Sequence, residues 1–393
     1  MNFQNINPLN VRINIISGNL LPLSENNSRF PIMWKMYSVF VWLLEIIQAI
    51  VLIPGIIFVS REKALKDGTV TCVVTIEVFF MVVRIQARRK LMNQLIQRLN
   101  DILCVADETM KNIVTATLKP MEDPLKFYLL AGWLSVFIWC CLPFLLISEK
   151  VAFLYEDYRT PAVFSKEPFS IDVFLIGSVL LLLSNVYIFL KKFGVDIYMI
   201  HLVLLITAQY RYISTKLAII FRDGNPQNEF DDSCQEYQWI KKEMKALCRH
   251  HNSVIRLSSI LKKLLSLNFS MIYVNSVLRF SFIGIMLSTV SSTNFLEASS
   301  IVMFASGSIV QFYMLCFCVQ QLMDASRKIT DEAFHEKWYQ FGPSAKRTFM
   351  LIILGNNLEC KLSMCDKFNL SLPSFMTILN QSYSIALLFL RVK

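Results

Sequence analysis

The stretch VFLIGSVLLLLSNVYIFLKKFGVDIYMIHLVLLITAQY, residues Val173–Tyr210, decides how often this 393-residue chain crosses a membrane. Two apolar blocks flank the residues Lys191 to Gly194. If KKFG is a tight turn, the blocks are two membrane spans and the chain has eight in total. If the helix continues through both lysines, Ile171–Leu217 forms one helix roughly 60–70 Å long at 1.5 Å per residue. Such a helix is longer than the bilayer core is thick.

The composition of the chain is typical of a helical membrane protein. Hydrophobic residues make up 54% of it and charged residues 17%, whereas about 25% of the residues in an average soluble domain are charged. A span needs about 20 mostly apolar residues. Besides the long segment above, we predict spans at Trp34–Val59, Thr69–Val83, Leu125–Ile147, Leu267–Val290, Ala298–Met323 and Phe368–Leu390.

The distribution of Lys and Arg favours seven spans. Cytosolic loops of membrane proteins are enriched in these residues. With seven spans and a cytosolic N-terminus, the cytosolic segments hold more than three times as many Lys and Arg as the external ones. Eight spans would place two strongly basic loops outside. Because the net charge of +10 lies in separate loops and forms no single patch, it predicts no nucleic acid partner.

Two of the segments predicted to be cytosolic contain helices of their own. Ser233–Leu267 lacks Pro and Gly, and its apolar residues recur at helical spacing, so we expect a helix that continues into the fifth span. Proline is common at the first position of a helix, so Pro343 indicates a helix start, and the apolar run TFMLIIL follows it. This run is too short to span a bilayer. We therefore expect a helix buried on all sides by protein, which suggests an oligomer.

The predicted organisation is all-α and polytopic, with seven transmembrane helices, a cytosolic N-terminus and a cytosolic helical anchor. Its parts are a cytosolic N-terminal segment (1–33), helices one to four (34–217), a cytosolic helical loop (218–266), helices five and six (267–323), a cytosolic anchor segment (324–367) and the last helix (368–393).

Several motifs carry a resemblance to a known family. AFHEKWYQFGPSAKRTFMLII begins at Ala333 and holds the pair Trp338-Tyr339 and, after a spacer, the basic pair Lys346-Arg347. This resembles the insect odorant receptor pattern ahead of the last span. The C-terminal SYSIALLFL is similar to the closing motif of that family.

The fourth span matches the same family in the spacing of Asp196, His201, Gln209-Tyr210 and Leu217. The resemblance covers essentially the whole chain. The chain lacks the Thr-Tyr…Gln-Phe ending of gustatory receptors. Its second cytosolic loop also lacks the large insertion of the co-receptor Orco. It therefore resembles a ligand-specific, tuning receptor.

The resemblance implies a mechanism. Such receptors form tetrameric, odorant-gated, non-selective cation channels with Orco, in the plasma membrane of the olfactory sensory neuron dendrite. It also implies one central pore formed by the last helix of each subunit, a cytosolic anchor, and a pocket for a small volatile odorant within each bundle. A gustatory-receptor-like channel is an alternative.

The resemblance also implies where the ligand residues lie. The pocket of the family is built from the second to sixth membrane segments, and we expect it to be mainly apolar. GWLSVFIW places three residues on one helical face, and they resemble the family's small–small–aromatic lining: Gly132, Ser135 and Trp139. Five further aromatic residues are weaker candidates, namely Phe79, Phe80, Tyr187, Phe280 and Phe282. The alternative for each candidate is packing between helices.

The last helix supplies the pore candidates Ala386, Leu387 and Leu390. Aligning Tyr383 with the closing Tyr of the family puts the gate at Ala386 and Leu390, four residues apart on one face. An apolar ring of this kind closes a pore by dewetting. Alignment of the C-termini instead gives Leu388 and Val392, and a lipid-facing stripe is a further alternative.

Charged residues inside spans cost about 2.5–3.5 kcal/mol each at a helix centre. Glu45, Glu77, Asp196 and Arg279 are the cases here. They could line a water-filled vestibule, or they could pair across helices, as Glu77 with Arg279. Structural pairing is favoured over contact with a ligand.

Other classes of function fit the sequence less well. No catalytic grouping, phosphate-binding loop or metal-ligand spacing is present, so we expect neither an enzyme nor a bound cofactor. A metabotropic, G-protein-coupled receptor would show Asp-Arg-Tyr after the third span and Asn-Pro-x-x-Tyr in the last, and both are missing. A transporter would show inverted repeats, and none is found.

Overall fold

The protein is described here from a computed structural model, which covers residues 1–23, 31–223, 235–289, 295–335, 338–356 and 370–391. In these ranges the regular structure is helical, apart from one isolated β-bridge between Phe153 and Phe169. The α-helices are α1 Phe3–Ile6, α2 Pro8–Ile16, α3 Ile32–Phe58, α4 Arg61–Lys63, α5 Thr69–Ala87, α6 Arg89–Cys104, α7 Glu108–Leu118, α8 Glu122–Cys141, α9 Ile171–Asp223, α10 Gln235–Thr289, α11 Phe295–His335, α12 Pro343–Asn356 and α13 Leu372–Arg391.

The helix α9 is continuous through KKFG, which confirms the prediction of one long helix. It has 53 residues and is therefore about 80 Å long. The two lysines form no turn because each has a buried partner: Lys191 Nζ lies 2.6 Å from Glu45 Oε2, and Lys192 Nζ lies 2.9 Å from Asp196 Oδ1, four residues on. Pairing removes most of the cost of burying these charges at membrane depth.

Helix α9 is the central helix of the bundle. Every residue from 191 to 210 is buried, because α9 packs against α2, α3, α5, α7, α8, α10 and α11. A helix that is apolar all round is expected in such a position. The remaining helices are therefore arranged around α9.

The helix α10 extends from Gln235 to Thr289 without interruption, which confirms that the Ser233–Leu267 helix, described from Gln235, continues into the fifth predicted span. Its buried stripe includes Met244, Leu247, Val254, Leu257 and Leu261. These spacings of three, four and seven residues keep one face of the helix on the core.

Among the described residues, six helical segments are long and apolar enough to cross a membrane: Ile32–Phe58, Arg61–Ala87, Glu108–Ser148, Ile171–Arg222, Gln238–Ser288 and Phe295–Asp331. The seventh predicted span is helical over Leu372–Arg391. It is less apolar because NQSYS, residues 380–384, lies in its middle. The protein is therefore an all-helical, multi-pass membrane protein.

The helix α12 begins at Pro343 as predicted, and the subunit buries one of its faces. It packs against α10 and α11, and its residues Phe349 and Ile352 are buried. Met350, Leu351 and Leu354 on its other side are exposed. A single chain therefore covers only one face of this helix, and the predicted burial of the other face by a neighbouring subunit stays a prediction.

Candidate ligand cavity and pore helix

A cavity of about 120 Å³ lies inside the bundle, between α5, α8, α9, α10 and α11. Its apolar wall is formed by Val70, Val74, Val136, Ile188, Phe189, Met286, Ile301 and Phe304. A cavity of similar size, about 150 Å³, holds one benzene molecule in another protein. The space therefore suits a small, mainly apolar molecule.

The helix α8 presents Gly132, Ser135 and Trp139 to this cavity, as helical spacing predicts. Ser135 Oγ donates a hydrogen bond to the carbonyl oxygen of Ser300 on α11, at 2.8 Å, and this bond fixes the two helices side by side. Gly132 gives room to the ring of Phe189, since a Cβ at this position would overlap that ring. These contacts place the three residues on the cavity wall; their role in binding a ligand remains a prediction.

Charged residues lie beside one end of the cavity, near Trp139. The Arg159 guanidinium lies over the Trp139 indole, 5.1 Å from the ring centre. It also donates two hydrogen bonds to the Glu297 carboxylate, at 3.1 and 3.0 Å. Lys66 Nζ lies 2.6 Å from the same carboxylate. Glu297 thus joins the 149–170 loop, α11 and the segment before α5 at this end.

The opposite end of the cavity borders a buried charged cluster. Lys192 lies 2.7 Å from Glu77 as well as 2.9 Å from Asp196. Asp196 Oδ2 also accepts hydrogen bonds from Tyr128, at 3.0 Å, and from Gln311, at 3.1 Å. Four helices, α5, α8, α9 and α11, are joined in this way.

Arg279 of α10 completes this cluster. Its Nη2 donates to Gln311 Oε1 at 2.8 Å, and its Nη1 lies 3.9 Å from Glu77 Oε2. The predicted pairing of Glu77 with Arg279 is therefore present, but Lys192 lies closer to Glu77 than Arg279 does. Lys192 is a functional candidate that the sequence analysis missed, although its four-residue spacing to Asp196 is visible in the sequence.

The five weaker aromatic candidates do not line this cavity. Phe79 packs edge-on against Trp42, with ring centres 5.2 Å apart, and Phe80 packs against the main core. Tyr187 accepts a hydrogen bond from Tyr37 of α3 at 3.2 Å. Each of these three residues therefore packs between helices in this structure, and a role in ligand binding stays a prediction.

The two candidates on α10 also pack between helices. Phe280 contacts Phe312, with ring centres 5.9 Å apart. The ring centres of Phe282 and Phe389 of α13 are 6.4 Å apart. Phe282 also packs against the buried hydrophobic cluster of Val70, Met286 and Ile301. Phe282 therefore contacts the last helix, whereas the nearby Met286 lines the cavity.

The α9 face that lines the cavity was also missed. It consists of Asn185 and of the residues three, four and seven positions after it, Ile188, Phe189 and Lys192. Tyr187, the ligand residue predicted on α9, lies on the side of this helix that faces α3. Helical spacing finds such a stripe, but it does not show which stripe faces the cavity.

The helix α13 packs one face on α10. Ser382 Oγ donates to the carbonyl oxygen of Val277 at 3.1 Å, and Ala386 is buried. A Cβ added at Gly284 would stand 3.1 Å from the Ala386 Cβ. The predicted gate residue Ala386 thus faces α10 within this subunit, and its assignment to the gate stays a prediction.

The opposite face of α13 is open. Tyr383, Leu387 and Leu388 are exposed on it, so the candidate Leu387 keeps a position from which it can line a pore. Leu388 belongs to the alternative alignment and is also exposed. The Leu390 side chain and Val392 lie outside the described part of the chain.

The sequence matches a known family over most of its length. A family model described as 7tm Odorant receptor matches residues 66–383. Odorant receptor 67c of Drosophila melanogaster is 22% identical over 188 residues, which are 48% of this chain and 43% of that protein. Odorant receptor 85f of the same organism is 23% identical over 97 residues, 25% of each chain. The alignments thus cover less than half the length of each of these relatives.

Solved structures share the fold. The olfactory receptor OR5 of Machilis hrabei in complex with eugenol matches with a TM-score of 0.81 and 13% identity, over 100% of both chains. Another structure of OR5 matches with a TM-score of 0.78 and 12% identity, over 98% of this chain and 97% of that one. At these identities the likeness concerns the fold alone.

Proposed function

This chain belongs to the 7tm Odorant receptor family, and from that premise we propose that it is the odorant-specific subunit of a heteromeric, odorant-gated, non-selective cation channel. The ligand is a small volatile molecule bound in the cavity between α5 and α11. The partner is the co-receptor Orco, and the site of action is the plasma membrane of the olfactory sensory neuron dendrite. The last helix of each subunit lines the pore.

The observation that carries this proposal is the cavity beside Trp139. It combines an apolar wall and an indole, a flat surface against which a volatile molecule can pack, with a few polar groups for orientation. Its volume of about 120 Å³ fits a molecule of the size of one ring. A binding site for a large or highly charged molecule would need a different shape and lining.

A short path connects the cavity with the pore helix. Met286 of α10 lines the cavity, and Gly284, two residues earlier, lies against Ala386 of α13. Phe282 of the same helix contacts Phe389 of α13. A ligand that moves α10 therefore moves α13 as well, provided that the ligand binds the open and closed arrangements with different affinity.

Two uncovered apolar surfaces support assembly into an oligomer. Leu387 and Leu388 are exposed on α13, and Met350, Leu351 and Leu354 are exposed on α12. In a tetramer, α13 would face the shared axis and α12 would pack against its counterparts in the anchor. An apolar ring around the axis would close the pore by dewetting.

The test is whole-cell recording from cells that express the chain with Orco, against a panel of volatile compounds. We expect a cation current within milliseconds of odorant application, and we expect it to persist when G proteins are blocked. A second-messenger response from the chain alone, without current, would favour the metabotropic alternative and contradict the proposal.

A further inference from the structure

The charged end of the cavity offers hydrogen-bond donors. Lys192, Arg279, Gln311 and Tyr128 line the cavity, whereas Glu77 and Asp196, which pair with the two cations, do not. The carboxylates therefore lie behind the cations as seen from the cavity. A molecule in the cavity meets mainly N–H and O–H groups at this end.

Arg279 retains unused donors. A guanidinium carries five N–H bonds, and the bonds described for Arg279 engage only its Nη2, with Gln311 at 2.8 Å and with Ser276 at 3.4 Å. Its Nη1 lies 3.9 Å from Glu77, beyond hydrogen-bond distance. Its Nε is buried and has no hydrogen-bond partner among the described residues. The side chain is 4% exposed, so bulk water does not satisfy this group.

The acceptors of Asp196 and Gln311 are already engaged. Asp196 accepts from Lys192, Tyr128 and Gln311, and Gln311 Oε1 accepts from Arg279. Lys192 has three N–H donors and two carboxylate neighbours. Both Glu77 oxygens have no hydrogen-bond partner among the described residues, but Glu77 does not line the cavity, whereas Arg279 does. An acceptor for the Nε–H of Arg279 can therefore come from the occupant of the cavity.

The charges of the cluster sum to zero. Glu77 and Asp196 balance Lys192 and Arg279. An ionised carboxylate in the cavity would add a net charge at a site removed from water, which is unfavourable. A neutral oxygen acceptor, such as a carbonyl or an ether, uses the spare donors and adds no charge.

We propose that Arg279 is a specificity-determining residue that selects small volatile ligands with an uncharged oxygen acceptor, oriented with the oxygen toward Arg279 and the hydrocarbon part toward Trp139. This inference rests on the proposed function and names the ligand class of the same cavity. Asp67 lines the cavity too, but Lys63 Nζ lies 2.5 Å from its carboxylate, so this carboxylate already has a cationic partner.

The test compares ligands that differ in one group. Cyclohexanone and methylenecyclohexane share one skeleton and exchange the carbonyl oxygen for CH₂. Cyclohexylamine and cyclohexanecarboxylate carry a charge on the same ring, and acyclic ketone and alkene pairs of six to eight carbons extend the series. In cells with Orco, we expect each active ketone to have an EC50 about 10- to 100-fold below that of its alkene partner.

Two variants separate a role in specificity from a role in folding. Arg279→Lys keeps the charge and removes the Nε–H. In receptors that reach the cell surface, it should reduce the selectivity ratio, defined as the EC50 of the alkene divided by the EC50 of its ketone partner, at least several-fold. Arg211→Lys is the matched control. Arg211 binds Thr117 at 3.0 Å and Gln321 at 2.7 Å and does not line this cavity, so its ratio should equal that of the wild type.

Several outcomes would overturn the inference: alkenes as potent as ketones, amines or carboxylates preferred over both, or a ratio unchanged in Arg279→Lys. Silence toward every volatile compound would instead contradict the proposed channel. In that case, the effect of each ligand on the melting temperature of the purified wild-type chain tests the inference. Cyclohexanone should raise it and methylenecyclohexane should not, and equal effects or no effect of either would overturn the inference.

Discussion

Gly284 of α10 lies directly against Ala386 of α13, and a Cβ added to the glycine would stand 3.1 Å from the Cβ of the alanine. This is tighter than ordinary van der Waals contact. The absence of a side chain at residue 284 therefore sets how closely the two helices approach. Because Met286 on the same helix lines the cavity, the contact joins the cavity wall to α13, the helix proposed to line the pore.

Substitution of Gly284 should change gating without changing ligand contacts. In Gly284→Ala the added methyl group pushes α13 from α10, so we expect the basal current or the maximal evoked current to change at least two-fold, with the rank order of odorants retained. The measurement is whole-cell current normalised to surface expression. Gly355→Ala is the control, because the nearest atom to its added Cβ is the flexible end of Ile255, at 3.3 Å. Identical currents in both variants would rule out this coupling.

Removal of the Trp139 indole should weaken the response to odorants. Trp139 lines the cavity, and we expect Trp139→Ala to raise the EC50 of active odorants at least ten-fold, because a large apolar contact is lost. Trp133 on the same helix stacks on Phe137 and is exposed, away from the cavity. Trp133→Ala should leave the EC50 within about two-fold of the wild-type value. Equal losses in both variants would show a general effect on α8.

Filling the space at Gly132 should exclude larger ligands first. In Gly132→Ala the new methyl group overlaps the Phe189 ring, and the ring has to move, which reduces the free volume of the cavity. We expect potency to fall several-fold for the bulkiest active odorants and less for the smallest. Gly307→Ala is a milder comparison in the same wall, because its added Cβ meets the nearest atom at 3.5 Å, an ordinary contact. A loss of potency independent of ligand size would argue against this role of Gly132.

The pair Glu45 and Lys191 should behave as a buried ion pair. Both side chains are fully buried, with Lys191 Nζ 2.6 Å from Glu45 Oε2 and 3.7 Å from the centre of the Trp42 ring. Lys191→Met alone should lower the free energy of unfolding by about 3–5 kcal/mol, because it leaves a buried carboxylate unpaired. Glu45→Leu together with Lys191→Met should recover most of this loss. Thermal unfolding of the purified variants forms the double-mutant cycle, and additive losses would contradict the pairing.

The course of α9 could be predicted from the sequence, whereas the partners of its lysines could not. The positive-inside count decided between one helix and two, since it depends only on residue types and loop positions. Lys192 and Asp196 are neighbours within one helix, so their spacing is informative. Glu45 and Glu77 lie on other helices, and their distance from the lysines depends on helix rotation, which the sequence does not show.

The cavity was predicted on α8 and missed on α9 for a similar reason. On α8 a resemblance to a family lining selected the correct face. Tyr187 and Phe189 are two residues apart on a helix that is largely buried all round, so hydrophobic periodicity does not separate the face toward α3 from the face toward α8. The packing of Ala386 against α10 could not be predicted for the same reason, because α13 carries apolar residues on several faces and its rotation against α10 is a tertiary property.

The most direct test of the account is a structure of the receptor assembled with Orco, determined with a brominated agonist. We expect density for the ligand between Trp139 and Arg279, in contact with Ser135 and Gly132, and the bromine atom marks the position of the ligand. We also expect α10 and α13 to move together relative to the ligand-free assembly. Ligand density elsewhere with this cavity empty, or a motion of α13 without α10, would contradict the account.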